Sequence, residues 1–159
     1  MQISMMRYKS PFGPIYCVFE GGYLIELSFI NKPELVHTGC PEVLNKALAR
    51  EMDDYFAGTL KEFRQKIKFI SGTPFERKIW LELRKIPAGQ TRSYKWMAGR
   101  AGNAKASRAA GQALGKNPIP LILPCHRIIA SDGTLGGFSS GLKVKEWLLR
   151  HEKAAAGKR

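Results

Sequence analysis

The residues with the most evident chemistry stand together in "NPIPLILPCHRIIASDG", Asn117 to Gly133. A thiol, an imidazole and a guanidinium, Cys125, His126 and Arg127, follow an apolar run crowded with prolines. A free cysteine has a pKa near 8.5 and is mostly protonated at neutral pH. It becomes a strong nucleophile when a base or a positive charge stabilises its thiolate. Neighbouring side chains of an extended segment point to opposite faces, so Cys125 and His126 cannot simply face each other. Either the chain turns sharply at Cys125 or a water bridges thiol and imidazole. An imidazole acting as base also needs an orienting partner on its other nitrogen, usually a carboxylate. Residues 73–159 offer five carboxylates, and Glu152 and Asp132 are the least committed to helix surfaces. The competing reading is a buried structural cysteine, which is inert in most apolar runs.

The elements that must position these groups can be read from spacing. "TPFERKIW" opens a helix, with Thr73 as N-cap, Pro74 at its first position and Glu76 completing a capping box. Phe75, Ile79, Leu83 and Ile86 mark its buried face, joined by Trp80. "PAGQT" ends it, and "SYKWMAGRAG" makes a short helix capped by Ser93. After the turn "GNA" comes the helix "KASRAAGQALGK". Two short helices around a glycine-bearing turn have the shape of a helix-turn-helix. In the second helix Ala106, Ala109, Ala110, Ala113 and Leu114 form one apolar stripe. Lys105, Arg108, Gly111, Gln112, Gly115 and Lys116 lie opposite, a basic face of low bulk that can approach a phosphate chain or a narrow groove. A glycine-rich loop, "SDGTLGGFSSG", leads to a last helix, "LKVKEWLLRHE", and a frayed tail, "KAAAGKR".

The first half reads differently. "ISMMRYKS", "IYCVFE" and "YLIELSFI" are strands, the last two joined as a hairpin at Gly21-Gly22. Residues 31–40 read as a loop. "PEVLNKALAREMDDYFAG" is a helix with Pro41 at its first position and Val43, Leu44, Ala47, Leu48 and Met52 as its apolar stripe, followed by Tyr55 and Phe56. Residues 60–72 read as a short strand or an irregular link. The expected fold is α+β: a structural N-terminal domain over residues 1–72, an antiparallel sheet with a helix, then a mostly helical domain over 73–159 with a winged helix-turn-helix and the active site.

Charge sharpens the division. The 159 residues carry a formal net charge of +13. Residues 1–72 hold nine Lys/Arg against eight Asp/Glu, whereas residues 73–159 hold seventeen against five. A general need for solubility explains the total but not the asymmetry; a polyanion explains both, and nucleic acid is the foremost polyanion. Three widely spaced cysteines, Cys17, Cys40 and Cys125, give no disulfide framework, and no Cys-x-x-Cys pair supports His37 and Cys40 as metal ligands. No run approaches the ~18 apolar residues of a membrane span, and the start lacks a signal-peptide pattern. The expectation is a cytoplasmic protein that does not enter membranes.

From "TPFERKIWLELRKIPAGQTRSYKWMAGRAGN" through "SRAAGQALGKNPIPLILPCHRIIASDGTLGGFSSGLKVKEWLLRHE" the chain resembles the O6-alkylguanine-DNA alkyltransferases. Pro-Cys-His-Arg at 124–127, Asn-Pro upstream, and Gly-Gly-Phe-Ser with Lys-Glu-Trp-Leu-Leu-x-His-Glu downstream carry the likeness. The resemblance implies direct repair of duplex DNA holding O6-alkylguanine, with O4-alkylthymine a further candidate. The alkyl group would pass irreversibly to Cys125, one lesion per molecule. His126 would activate the thiol through a water and Glu152 would orient His126. Asn117 would brace the turn at Cys125, and Tyr94 would help extrude the nucleotide and protonate the leaving base. Ser139, Lys145, Phe138 and Pro120 would form or support the guanine pocket. Arg108 would fill the gap left in the duplex, Tyr94, Lys95, Ala109 and Gly111 would contact DNA with the recognition helix in the minor groove, and Asn103 and Ser131 would touch the DNA backbone. The scheme needs no cofactor and no metal, and implies a monomer. Phe138, Ser140 and Ala110 depart from residues common in the family and bear on the range of alkyl groups accepted.

Three other readings exist. A non-catalytic sensor of alkylated DNA would share the shape but lack the acceptor cysteine. A helix-turn-helix regulator would leave the Pro-Cys-His-Arg segment without purpose. A cysteine hydrolase would leave the basic half without purpose.

Overall fold

A computed structural model describes residues 2–30, 38–39 and 41–158. The expected loop at 31–40, with His37 and Cys40, lies almost entirely outside the described residues. The chain forms two compact units, Met1–Ile70 and Ser71–Arg159.

In the first unit, β1 (Ile3–Ser10) and β2 (Gly13–Glu20) pair antiparallel, with Ile3 opposite Glu20 and Ser10 opposite Gly13. β2 pairs in turn with β3 (Tyr23–Ser28). Gly21 and Gly22 between them both have positive φ, 55° and 87°, as a two-residue hairpin matching strand twist requires. The sheet is not purely antiparallel: β4 (Thr38–Gly39) adds to the far edge of β1 in parallel, giving the order β3-β2-β1-β4. The α1 helix (Glu42–Phe56) starts one residue later than expected, with Pro41 as its cap. Its buried stripe is also narrower. Leu48, Met52 and Tyr55 are buried, but Val43 is 74% exposed and Ala47 is exposed too. Residues 60–72 form no strand; Leu24 bridges Ile67 through bonds to Lys66 O and from Lys68 N, 2.8 and 3.1 Å.

In the second unit α2 (Pro74–Leu83) carries the expected capping box. Thr73 Oγ1 accepts from Glu76 N at 3.1 Å, and Glu76 Oε2 accepts from Thr73 N at 3.0 Å. Ile79, Trp80, Leu83 and Ile86 are buried while Phe75 is only half-buried. β5 (Arg92–Ser93) leads into α3 (Tyr94–Arg100), whose cap Ser93 accepts from Trp96 N. The α4 helix (Ser107–Gly115) buries Ala110, Ala113 and Leu114, but Ala109 lies on its exposed side with Arg108. Trp80 ties α2 to α4, its Nε1 donating to Ala113 O at 2.8 Å. β6 (Ile128–Ile129) pairs in parallel with β5. The last helix, α5 (Leu142–Ala156), runs through the segment expected to fray, and Ala155 in that segment is buried. No described helix is long and apolar enough to cross a membrane.

Candidate active site

Two apolar anchors, Ile119 and Leu123, bury the segment after α4, and its exit is a sharp turn. Asn117 shapes that turn. Its Nδ2 donates to Leu123 O at 2.7 Å and its Oδ1 accepts from Ile119 N at 2.9 Å. Between them Leu121 holds φ 77°, a conformation a non-glycine residue adopts only under constraint. The chain then makes one turn of 3-10 helix at Cys125–Arg127. The chain thus turns sharply at Cys125, and the turn does not bond the thiol directly to the imidazole.

That turn sends His126 and Arg127 inward to one carboxylate. His126 Nε2 lies 2.6 Å from Glu152 Oε1. Arg127 grips both oxygens, Nε to Oε2 and Nη2 to Oε1, each at 2.9 Å, and its Nη1 donates to Ile86 O at 2.6 Å. His126 and Glu152 are 0% and 2% exposed. Burial alone would raise the Glu152 carboxyl, but His126 and Arg127 outweigh it and hold the group well below the usual carboxylate range. An ionised carboxylate only accepts, so Nε2 of His126 carries a proton and Nδ1 presents a lone pair. No described residue hydrogen-bonds Nδ1. Burial pushes His126 below its ordinary value despite Glu152, so the imidazole is neutral at neutral pH. Asp132, the other candidate carboxylate, instead accepts from Thr134 N and Oγ1 in an exposed turn.

The Cys125 thiol is 6% exposed and burial raises its pKa to about 11, against a hydrogen bond from Asn117 and the charge of Lys145. The resting group is a protonated thiol. It forms part of the wall of a cavity of about 520 Å³ with Tyr94, Gly111, Leu114, Gly115, Gly137, Phe138 and Ser139. That volume suits a ring-sized ligand. Burial raises the Tyr94 pKa, although the Gly137 N–H opposes the shift, so the phenol keeps its proton.

Lys145 does not reach the cavity wall. It is fully buried, and Nζ donates to Ile128 O, Leu135 O and Gly137 O at 2.7, 2.5 and 3.0 Å. Three N–H groups meet three carbonyls, and two of those carbonyls belong to the loop that carries Gly137 to the cavity. Pro120 is buried in the turn behind Cys125 and is not part of the wall. Lys95, Asn103, Arg108, Ala109 and Ser131 are exposed, and Asn103 Oδ1 accepts from Lys105 N within the inter-helix turn. Sequence reasoning left Arg127 without a role. The signal was present: a guanidinium inside an otherwise apolar segment must find a buried anion. Among the described residues no group of three or more His, Cys, Asp or Glu could hold a metal ion.

Residues 74–154 match a family model described as 6-O-methylguanine DNA methyltransferase, DNA binding domain. A methylated-DNA--protein-cysteine methyltransferase from Methanosarcina acetivorans is 40% identical over 149 residues, 91% of this chain and 95% of its own. The protein of that name from Mycobacterium tuberculosis is 38% identical over 159 residues, 96% of this chain and 95% of its own. A crystal structure of a Mycobacterium tuberculosis O6-methylguanine methyltransferase superposes with TM-score 0.87 at 35% identity, covering 97% of this chain and 94% of that one. The TM-score is also 0.87 for a Mycobacterium tuberculosis OGT in complex with DNA, at 35% identity over 98% of this chain and 94% of that one.

Proposed function

Because this chain belongs to the O6-methylguanine DNA methyltransferase family, we propose that it reverses alkylation damage in DNA by moving the alkyl group of O6-alkylguanine onto Cys125. The observation that carries the reading is a thiol on a ring-sized cavity beside an imidazole whose Nε2 is tied to a buried carboxylate. A sensor without chemistry would need neither the thiol nor the base.

Duplex DNA hides the target atom, so the nucleotide must leave the stack at a cost of a few kcal/mol. Arg108, on the exposed side of α4, fills the space it leaves, and Lys95, Asn103, Ala109, Gly111 and Ser131 lie along the minor groove and backbone. Minor-groove readout is degenerate, so sequence preference is weak. In the cavity His126 Nδ1 takes the thiol proton through a water, and the imidazolium is stabilised by Glu152. The thiolate attacks the alkyl carbon, a C–S bond forms and the C–O bond breaks, leaving its electron pair on the guanine. Tyr94 gives that guanine a proton. Phe138 and Ser139 face the base, while Lys145 and Pro120 support the walls. A thioether is no leaving group, so each molecule acts once. A thiol near pKa 11 in the resting protein is spared oxidation and is ionised only by its base. Free thiol chemistry suits the reducing cytoplasm, and a reaction of one molecule with one lesion suits a monomer.

The test is intact mass spectrometry after incubation with a duplex carrying one O6-methylguanine. The expected result is a gain of one methylene per molecule, capped at one equivalent and absent in Cys125→Ser. Tight lesion binding without mass gain would instead make the protein a damage sensor.

A further inference from the structure

Glu152 can serve His126 only if the last turns of α5 are held in place. The helix continues to Ala156, past the residues matched by the family model, 74–154. Against it lies a turn at residues 87–90, closed by Gln90 N donating to Pro87 O at 3.1 Å. Gly89 sits in that turn with φ +89°, and a Cβ there would stand 2.7 Å from Ala156 Cβ and 3.4 Å from the Glu152 carbonyl oxygen. The two backbones meet this closely because one residue has no side chain and the other only a methyl. The same stretch of chain reaches the other side of the carboxylate, since Ile86 O accepts from Arg127 Nη1 at 2.6 Å. One short segment therefore braces both the helix that carries Glu152 and the guanidinium that grips it.

We propose that the Gly89–Ala156 contact is a positioning device that sets the His126–Glu152 distance and, through it, the strength of His126 as a base. The inference rests on the alkyl-transfer reading for its catalytic meaning. His126 is faced by Glu152 and Lys145 from α5 and by Cys125 and Arg127 from its own turn. Burial, Arg127 and Lys145 all push its proton affinity down, and Glu152 alone pushes it up. A methyl at position 89 drives the last turn of α5 outward and weakens the one favourable partner.

The experiment compares wild type, Gly89→Ala and Gly89→Ala/Ala156→Gly as full chains. Two quantities are read: the single-turnover transfer rate against pH, and the titration of the His126 ring by NMR without DNA. In Gly89→Ala the plateau rate is expected to fall about tenfold, and the acid limb and His126 titration to move down by about one unit, the change of a tenfold weaker base. The double variant opens space at the contact and returns the titration to the wild-type position. Its remaining backbone strain, an alanine at positive φ, lowers Tm only. If Gly89→Ala lowers Tm while the His126 titration and the acid limb stay in place, the contact is packing and the proposal falls. It falls equally if the double variant keeps the shifted titration. Should Gly89→Ala not fold, Ala156→Val loads the same contact from the helix side: a His126 titration moved down is expected, and one left in place overturns the idea. Absence of methyl transfer by the wild type would sink the parent reading alone, since the NMR titration needs no lesion.

Discussion

Lys145 meets three carbonyls with three N–H groups, a match only the ammonium form can make. Burial lowers its pKa to about 8, and Cys125 opposes that shift once its thiol ionises. A neutral amine keeps two N–H groups, so deprotonation releases one strut of the loop beside the cavity. The transfer rate is therefore expected to decline above about pH 8, and Lys145→Met to be slow at neutral pH without that decline; rates between neutrality and alkaline pH check this. Glu152 and His126 act at the other end of the scale. Glu152 is depressed below its unfolded value of about 4.3, so its stabilisation is full above that value and is lost as pH falls toward the folded one. His126 is depressed below about 6.5, and its contribution likewise shrinks as pH drops beneath that value. Tm should fall progressively from neutral pH into acid. Glu152→Gln should cost about 3 kcal/mol or more at neutral pH, because Arg127 becomes an uncompensated buried charge, and thermal melts across pH test both statements. Cys125, His126 and Glu152 were legible in the sequence, whereas Arg127 was not, because its role is a pairing with a residue on α5. Spacing alone leaves Asp132 and Glu152 as alternatives; the family resemblance favours Glu152, and the fold shows that carboxylate facing inward.

At the scale of elements, caps were legible and faces less so. Thr73-Glu76 and Ser93 act within a few residues, so local chemistry decides them. Periodicity makes the stripe on α1 wider than the buried one and puts Ala109 on the wrong side of α4, because burial depends on what packs opposite. The end of α5 looks frayed by composition because its docking partner is Gly89, far earlier in the chain. β4 was missed because a two-residue parallel pairing leaves no periodic signal. The α4 helix offers a separable prediction. A Cβ at Gly111 would lie 3.8 Å from the Tyr94 ring, an ordinary contact. Gly111→Ala should raise stability by up to about 1 kcal/mol through helix propensity. The same methyl adds bulk to the cavity wall and to the face assigned to the minor groove, so lesion transfer should slow and undamaged duplex should bind more weakly. Melting, transfer rates and filter binding together would show the two effects parting.

The whole molecule carries its excess charge in residues 73–159, the part assigned to DNA by the proposed function. Lys95, Lys105 and Arg108 are exposed on or beside α3 and α4. If Lys95 and Lys105 each neutralise one phosphate, the affinity for undamaged duplex should fall with salt at a log–log slope of about −2. Lys105→Ala should reduce that slope by about one. A binding series at several salt concentrations measures both. Residues 71–159 expressed alone should retain the slope if the first unit takes no part in phosphate contact.

Trp80 has an optical consequence. Its indole lies buried, so close to Gly72 that a Cβ there would come within 2.6 Å of the ring, and its Nε1 is bonded to the Ala113 carbonyl. Trp96 and Trp147 are half-buried. Emission from Trp80 should be blue-shifted and poorly quenched by iodide, and should move to the red when α2 and α4 separate. The second unit thus contains its own fluorophore for following unfolding, with no label attached near the thiol.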